Sequence, residues 1–121
     1  MAHIVVLVID GELGAELVAV AVAAGHDVDV DVCASEAEVW NACEKPADLL
    51  IIDASSDAVD GVTLVDSMLA GGELRGVRTL ALYADADPAA KERAQEVGFD
   101  IILPRSRIDA EGAQLVERLL A

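Results

Sequence analysis

Between residues 48 and 61 an uninterrupted apolar run, Leu49-Leu50-Ile51-Ile52, stops abruptly at Asp53, and a small polar loop then leads to Gly61. Four apolar residues in a row, half of them β-branched, read as a strand buried on both faces, the pattern of a parallel sheet held between two helix layers. Ligands of such sheets bind beyond the carboxyl ends of the strands, so Asp53 is expected where an open α/β fold keeps its chemistry. A lone Asp after a strand is commonly a turn cap. Asp53 stands out because Asp10 ends another apolar run in the same way.

The chain around this stretch alternates between two periods. Residues 3–9 form an apolar run that stops at Asp10-Gly11, and Leu13, Leu17, Val20, Ala21 and Ala24 then recur at helical spacing up to Gly25. The outer face of that first helix carries Ala15, Val18, Ala19 and Val22, an apolar stripe of the kind that something usually covers. Residues 27–32 alternate Asp and Val, which reads as an edge strand with Val inward and Asp outward. The same Asp triplet, with Glu38 at the twelfth position, imitates the start of a calcium loop, but Val32 stands where such a loop needs Gly. Ser35 and Glu38 form a capping box for a second helix carrying Val39, Ala42 and Cys43 inward, with Trp40 at its border. A third helix carries Leu64, Val65, Met68 and Leu69 and ends at Gly71-Gly72. Residues 79–84 are a fourth strand, and Asp87-Pro88 opens a fourth helix ending at Gly98. Ile101-Ile102-Leu103 is a fifth strand stopped by Pro104, and Leu115, Val116, Leu119 and Leu120 bury a last helix. Five strands alternating with five helices on short loops predict a three-layer α/β sandwich with right-handed crossovers.

Length and composition set the outer bounds. A chain of 121 residues is expected to be one domain, residues 1–121, burying about 65% of its unfolded surface. Aromatic residues are 2% against 55% hydrophobic, so the core is built from Ala, Val, Leu and Ile. Twenty-three acids against eight bases give a net charge of -15, which repels nucleic acid phosphates and argues against direct nucleic-acid binding. Arg outnumbers Lys and Asp is the commonest acid, as in GC-rich genomes or salt-rich cytoplasm. No apolar run reaches the roughly 18 residues of a membrane span, no leader pattern opens the chain, and a cytoplasmic location is expected. Cys33 and Cys43 lack a metal-type pattern and are expected as reduced, buried thiols. His3 and His26, at the terminus and in a turn, are expected to be solvated.

If the strands ending at Asp10 and Asp53 are neighbours, two carboxylates share one rim. Such a pair either holds a hard cation or raises a pKa. With Mg²⁺ in place, a carboxylate can attack a phosphoryl donor, because the ion neutralises the oxygens that repel the nucleophile.

At these residues the chain resembles the receiver domains of two-component response regulators, over nearly its whole length. Asp53 with Asp60-Gly61 behind it is similar to that family's phosphoacceptor and following loop. Leu80-Ala81-Leu82-Tyr83-Ala84 resembles its fourth strand, residues 94–100 its fourth helix and turn, and Leu103-Pro104-Arg105 the end of its fifth strand. The resemblance implies a flavodoxin-like (βα)5 fold of sheet order 2-1-3-4-5 and Mg²⁺-dependent, self-catalysed phosphoryl transfer from a histidine kinase onto Asp53. It also implies a signalling face made by helix 4, strand 5 and helix 5, and a metal site drawn from Asp10, Glu12, Asp53 and Ser55.

The departures from the family pattern lie in that machinery. Gly11 follows Asp10 where a second acid is usual, leaving Glu12 to complete the site. Tyr83 stands where a Ser or Thr hydroxyl binds a phosphoryl oxygen, and a phenol cannot put its hydroxyl in the same spot. Arg105 replaces a Lys, a planar fork for a compact ammonium. Ile102 replaces the switching aromatic residue, and Asp57 occupies the place of a Pro. Each hydrogen bond lost to a charged group is worth about 1.5–3 kcal/mol. The preferred expectation is an atypical, or pseudo-, receiver that is no enzyme beyond its own phosphorylation. It docks a signalling protein or histidine kinase, or a second copy through helix 1 or the helix 4–strand 5–helix 5 face. A phosphorylated receiver is the runner-up. Cobalamin, haloacid-type phosphatase and flavin readings rank below, lacking respectively a ligating His, an Asp-x-Asp pair and a phosphate-cradling loop.

Overall fold

The computed structural model describes residues 1–25 and 27–121; the expectation for His26 lies outside the described residues. Five strands alternate with five α-helices: β1 (Ala2–Leu7), α1 (Gly11–Ala23), β2 (Val28–Cys33), α2 (Glu36–Ala42), β3 (Leu49–Asp53), α3 (Gly61–Gly71), β4 (Arg78–Tyr83), α4 (Pro88–Val97), β5 (Ile101–Pro104) and α5 (Ile108–Leu120), with a single 3₁₀ turn, Arg105–Arg107, before α5. All strand pairs are parallel and the sheet order is β2-β1-β3-β4-β5, the flavodoxin-like arrangement expected from the sequence.

The two-residue period of each strand divides the core into two layers. Leu50 and Ile52 of β3, with Val5, Leu7 and Ala81, pack beneath Val39 of α2, Val65 and Met68 of α3 and Ala94 of α4. Leu49 and Ile51 face the other way, with Ile4, Val6, Leu80 and Leu82, against Leu17 and Val20 of α1 and Val116 of α5. β3 is wholly buried, which is why its sequence shows no alternation. Gly112 permits the close approach of α5 to α1, since a Cβ there would lie 2.8 Å from a Val20 methyl.

The helix starts hold the rim in place. Asp10, Ser35, Asp60 and Asp87 each accept a backbone N–H in the first turn of the helix they precede, satisfying donors that would otherwise face the loops unpaired. α3 and α4 end on Gly72 and Gly98 with φ of 80° and 95°, a left-handed turn that glycine adopts without steric cost.

One expectation is corrected here. His3 is 2% exposed, not solvated. The alternation of β1 turns its ring to the α2 side, and the segment before β3 closes over it: the backbone N–H of His3 donates to the Asp48 carboxylate at 2.8 Å, and that of Asp48 donates to the His3 carbonyl at 2.8 Å. β2 is the edge strand expected: Val28 and Val30 pack against the core and Asp31 is exposed. Asp29 and Asp31 lie on the side that carries His3, Asp31 taking the His3 ring and Asp29 the Lys45 ammonium, while Val32 is 50% exposed at the strand's end.

Candidate functional site

Parallel β1 and β3 are adjacent, so the segments that follow them leave the sheet at the same rim, and Asp10 and Asp53 share that rim. Asp53 is the last residue of β3 and is 5% exposed. One carboxylate oxygen, Oδ1, accepts the backbone N–H of Ser55 at 3.1 Å. The other, Oδ2, accepts a hydrogen bond from Nη2 of Arg105, which the extended backbone at Pro104 and the 3₁₀ turn bring in from the end of β5. The result is an internal ion pair between a nearly buried carboxylate and a guanidinium that is 33% exposed.

Ser55 helps to fix the loop. Its hydroxyl accepts the backbone N–H of Ala84 at 2.8 Å, and Ala54 N–H donates to the Leu82 carbonyl at 2.7 Å, so the residues after Asp53 are stitched to the end of β4. Asp85 in the β4–α4 loop accepts both the hydroxyl and the backbone N–H of Ser106, which hold its carboxyl below the usual range. On the neighbouring side Asp60 receives Nη2 of Arg93 at 2.9 Å and the Thr63 hydroxyl at 2.7 Å, joining α3 to α4. Partial burial pushes the Asp60 carboxyl up, but the bonds from Thr63 and Arg93 outweigh it and hold the carboxyl below its ordinary value.

Of the residues singled out in the sequence, Asp53, Arg105 and Ser55 come together. Asp10 is exposed and its Oδ1 caps α1, accepting the N–H of Glu12 at 2.9 Å and of Leu13 at 3.3 Å. Glu12 is exposed in the first turn of α1. Among the described residues the one trio of His, Cys, Asp or Glu whose ligand atoms lie within 4.8 Å of one another is His3, Asp29 and Asp31, so Asp10, Glu12 and Asp53 do not converge as a metal cage. Oδ2 already accepts Arg105, so a Mg²⁺ ion at Asp53 would have to share that carboxylate with the guanidinium.

Tyr83 ends β4, in the place where the resemblance puts a Ser or Thr hydroxyl. Tyr83 is 9% exposed and belongs to the layer beneath α4, with Ala81 and Ala90 and with Ile102 packed against it. The pleat directs its ring to the α4 side, opposite the side carried by Leu49 and Ile51, whose alternation Asp53 continues. Lys91 of α4 sets its ammonium 5.9 Å from the ring centroid. Sequence reasoning missed the Arg93–Asp60 and Asp85–Ser106 links, which join residues far apart in the chain and leave no periodic signal.

No protein-family model and no curated protein sequence matches the chain. Solved structures do. A crystal structure described as a candidate response regulator from Chloroflexus aurantiacus superposes with a TM-score of 0.85 at 24% identity, covering 98% of this chain and 97% of the other. The receiver domain of a sensor histidine kinase from Pseudomonas aeruginosa, which has a magnesium ion coordinated in its active-site cleft, gives 0.81 at 19% identity, covering 98% and 97%. The receiver domain of a histidine kinase from Syntrophus aciditrophicus gives 0.80 at 21% identity, covering 99% and 90%. The chain therefore has the fold of response-regulator receiver domains, over its full length. No helix among the described residues is long and apolar enough to cross a membrane.

Proposed function

We propose that the chain is an atypical receiver of cytoplasmic signal transduction that works mainly as a protein-docking module, its phosphorylation site degraded. The observation that carries this reading is the Asp53–Arg105 pair. A phosphoacceptor carboxylate must present an oxygen to the donor, and here one oxygen takes a backbone N–H while the other takes a guanidinium. Arg105 supplies a tethered positive charge where the family resemblance leads one to expect a metal and a Lys, and it holds Asp53 through one guanidinium nitrogen. Tyr83 is buried in the layer beneath α4. In this reading the chain is not an enzyme, and its surface is set by sequence rather than by phosphate.

The docking surface we favour is the outer side of α1, where Ala15 and Ala19 are exposed, Val18 is half-buried and Val22 is 63% exposed. The face of α4, β5 and α5 is the second. A signalling protein, a histidine kinase or a second copy of the chain fits these surfaces better than nucleic acid, given a net charge of -15.

A second reading keeps Asp53 as a phosphoacceptor modified by a histidine kinase. It is favoured by the position of Asp53 at the sheet rim and by a magnesium-bearing receiver among the similar structures. Incubation with Mg²⁺ and a small phosphodonor, followed by intact mass, separates the two. The docking reading expects little or no addition; stoichiometric addition that disappears in Asp53→Asn establishes the second reading instead.

A further inference from the structure

At the opposite end of β1 from the Asp53 rim, the sheet carries a second constellation. Parallel pairing sets His3 of β1 against Asp29 of β2, and Asp31, two residues on, projects to the same side. The ligand atoms of the three side chains all lie within 4.8 Å of one another.

The imidazole fixes how this group can be used. Its Nδ1 lies 3.2 Å from the carbonyl oxygen of Pro46, which only accepts, so Nδ1 carries a proton. Its Nε2 lies 2.7 Å from Oδ2 of Asp31. In a neutral ring that nitrogen turns a lone pair towards a carboxylate, an arrangement that is repulsive unless a cation sits on Nε2. A second N–H can serve. So can a metal ion, and a ring whose far nitrogen donates to a backbone carbonyl is the form in which histidine usually ligates one. The ring is 2% exposed, so its orientation is fixed by packing before any ion arrives.

Positive charge is already drawn here. Lys45 sets its ammonium 2.7 Å from Oδ2 of Asp29. The Lys45 side chain is 62% exposed and can swing away without disturbing the core. A cavity of about 430 Å³, lined by Asp31, Cys33, Glu38, Asn41 and Lys45 among others, adjoins the Asp31 side of the group.

We propose that His3, Asp29 and Asp31 form a binding site for a borderline transition-metal ion, Zn²⁺ above all, with water completing the coordination and Lys45 as the displaceable internal competitor. One imidazole and two carboxylates suit Zn²⁺, whereas Mg²⁺ and Ca²⁺ prefer oxygen alone. The site stands apart from Asp53 and owes nothing to phosphoryl chemistry. A bound ion ties edge strand β2 to β1.

Titration calorimetry of the full chain with zinc chloride near neutral pH, backed by the visible absorption of bound Co²⁺, tests it. One equivalent of Zn²⁺ is expected, with affinity reduced about tenfold or more in Asp31→Asn and in Asp29→Asn, raised in Lys45→Met, and unchanged in Asp53→Asn. Mg²⁺ gives no saturable heat at this site. His3→Gln removes the nitrogen ligand but alters a buried residue, so the exposed Asp31 and half-buried Asp29 decide the outcome. Absence of Zn²⁺ binding by the wild-type chain overturns the proposal. So does binding that survives both Asp substitutions, which would put the ion elsewhere, for example on Cys33 and Cys43.

Discussion

Arg105 reaches across 52 residues of chain to close on the carboxylate of Asp53, linking the end of β5 to the end of β3. These strands are not neighbours; β4 lies between them. The pair therefore spans the sheet rim, and removing either partner disturbs the geometry of both loops.

An uncompensated buried carboxylate is costly, so Arg105→Ala is expected to destabilise the fold by about 2 kcal/mol or more, less than for a fully buried pair because the guanidinium is partly exposed. Asp53→Ala in the same chain should recover part of that loss. A double-mutant cycle in urea measures the coupling, and additive effects would mean that the pair contributes nothing.

The α1–α5 contact depends on a missing side chain. A Cβ at Gly112 would come within 2.8 Å of one Val20 methyl and 3.0 Å of the Ile108 Cδ1. Gly112→Ala should cost about 1–3 kcal/mol through overpacking, despite the better helix propensity of Ala. Thermal melts check this, and a rise in Tm would show that the helices have room to move apart.

Asp60 both caps α3 and holds Arg93. Its loss in Asp60→Ala should cost about 1 kcal/mol, mostly from the cap, since the ion pair is half-exposed on both sides. Because the folded carboxyl lies below its ordinary value of 3.8, its contribution is present above that value and is lost as pH falls through the lower folded one. The difference between wild type and Asp60→Ala should therefore shrink on acidification; a difference independent of pH would remove Asp60 ionisation from the account.

Burial pushes the Cys33 thiol up from 9.0 to about 11, with the nearby acids Glu38 and Asp31 adding to the shift. At neutral pH the folded protein thus holds roughly a hundredfold less Cys33 thiolate than an unperturbed thiol would supply. Cys33 should react with a thiol reagent far more slowly in the native chain than in denaturant. In the linkage, the folded state keeps its proton longer than the unfolded one, so stability falls as pH rises from about 9 towards about 11. Rapid native labelling of Cys33 would contradict its burial.

The layer order was readable because parallel strands and amphipathic helices announce themselves locally: the apolar run before Asp53, the Asp87-Pro88 start and the stops at Gly72 and Gly98 each carry their own signal. Asp53 and Arg105 were found as single residues, but that they close on each other depends on the path of the chain after Pro104. His3 was misread for a related reason. Nothing near the terminus in sequence says that residues 46–48 fold back over it, and a His beside a chain end looks solvated until Asp48 and Pro46 are in place. Tyr83 shows the limit of position-by-position comparison: it holds the expected place in β4, yet the pleat sends its ring beneath α4.

The central claim is that Arg105, not a metal ion, neutralises Asp53. A Mg²⁺ titration followed through the backbone amide resonances of Ala54, Ser55 and Ala84 tests it most directly. The account predicts no saturable shift at millimolar Mg²⁺ in the wild-type chain and a saturable one in Arg105→Ala. Saturable shifts of those three amides in the wild-type chain would contradict it.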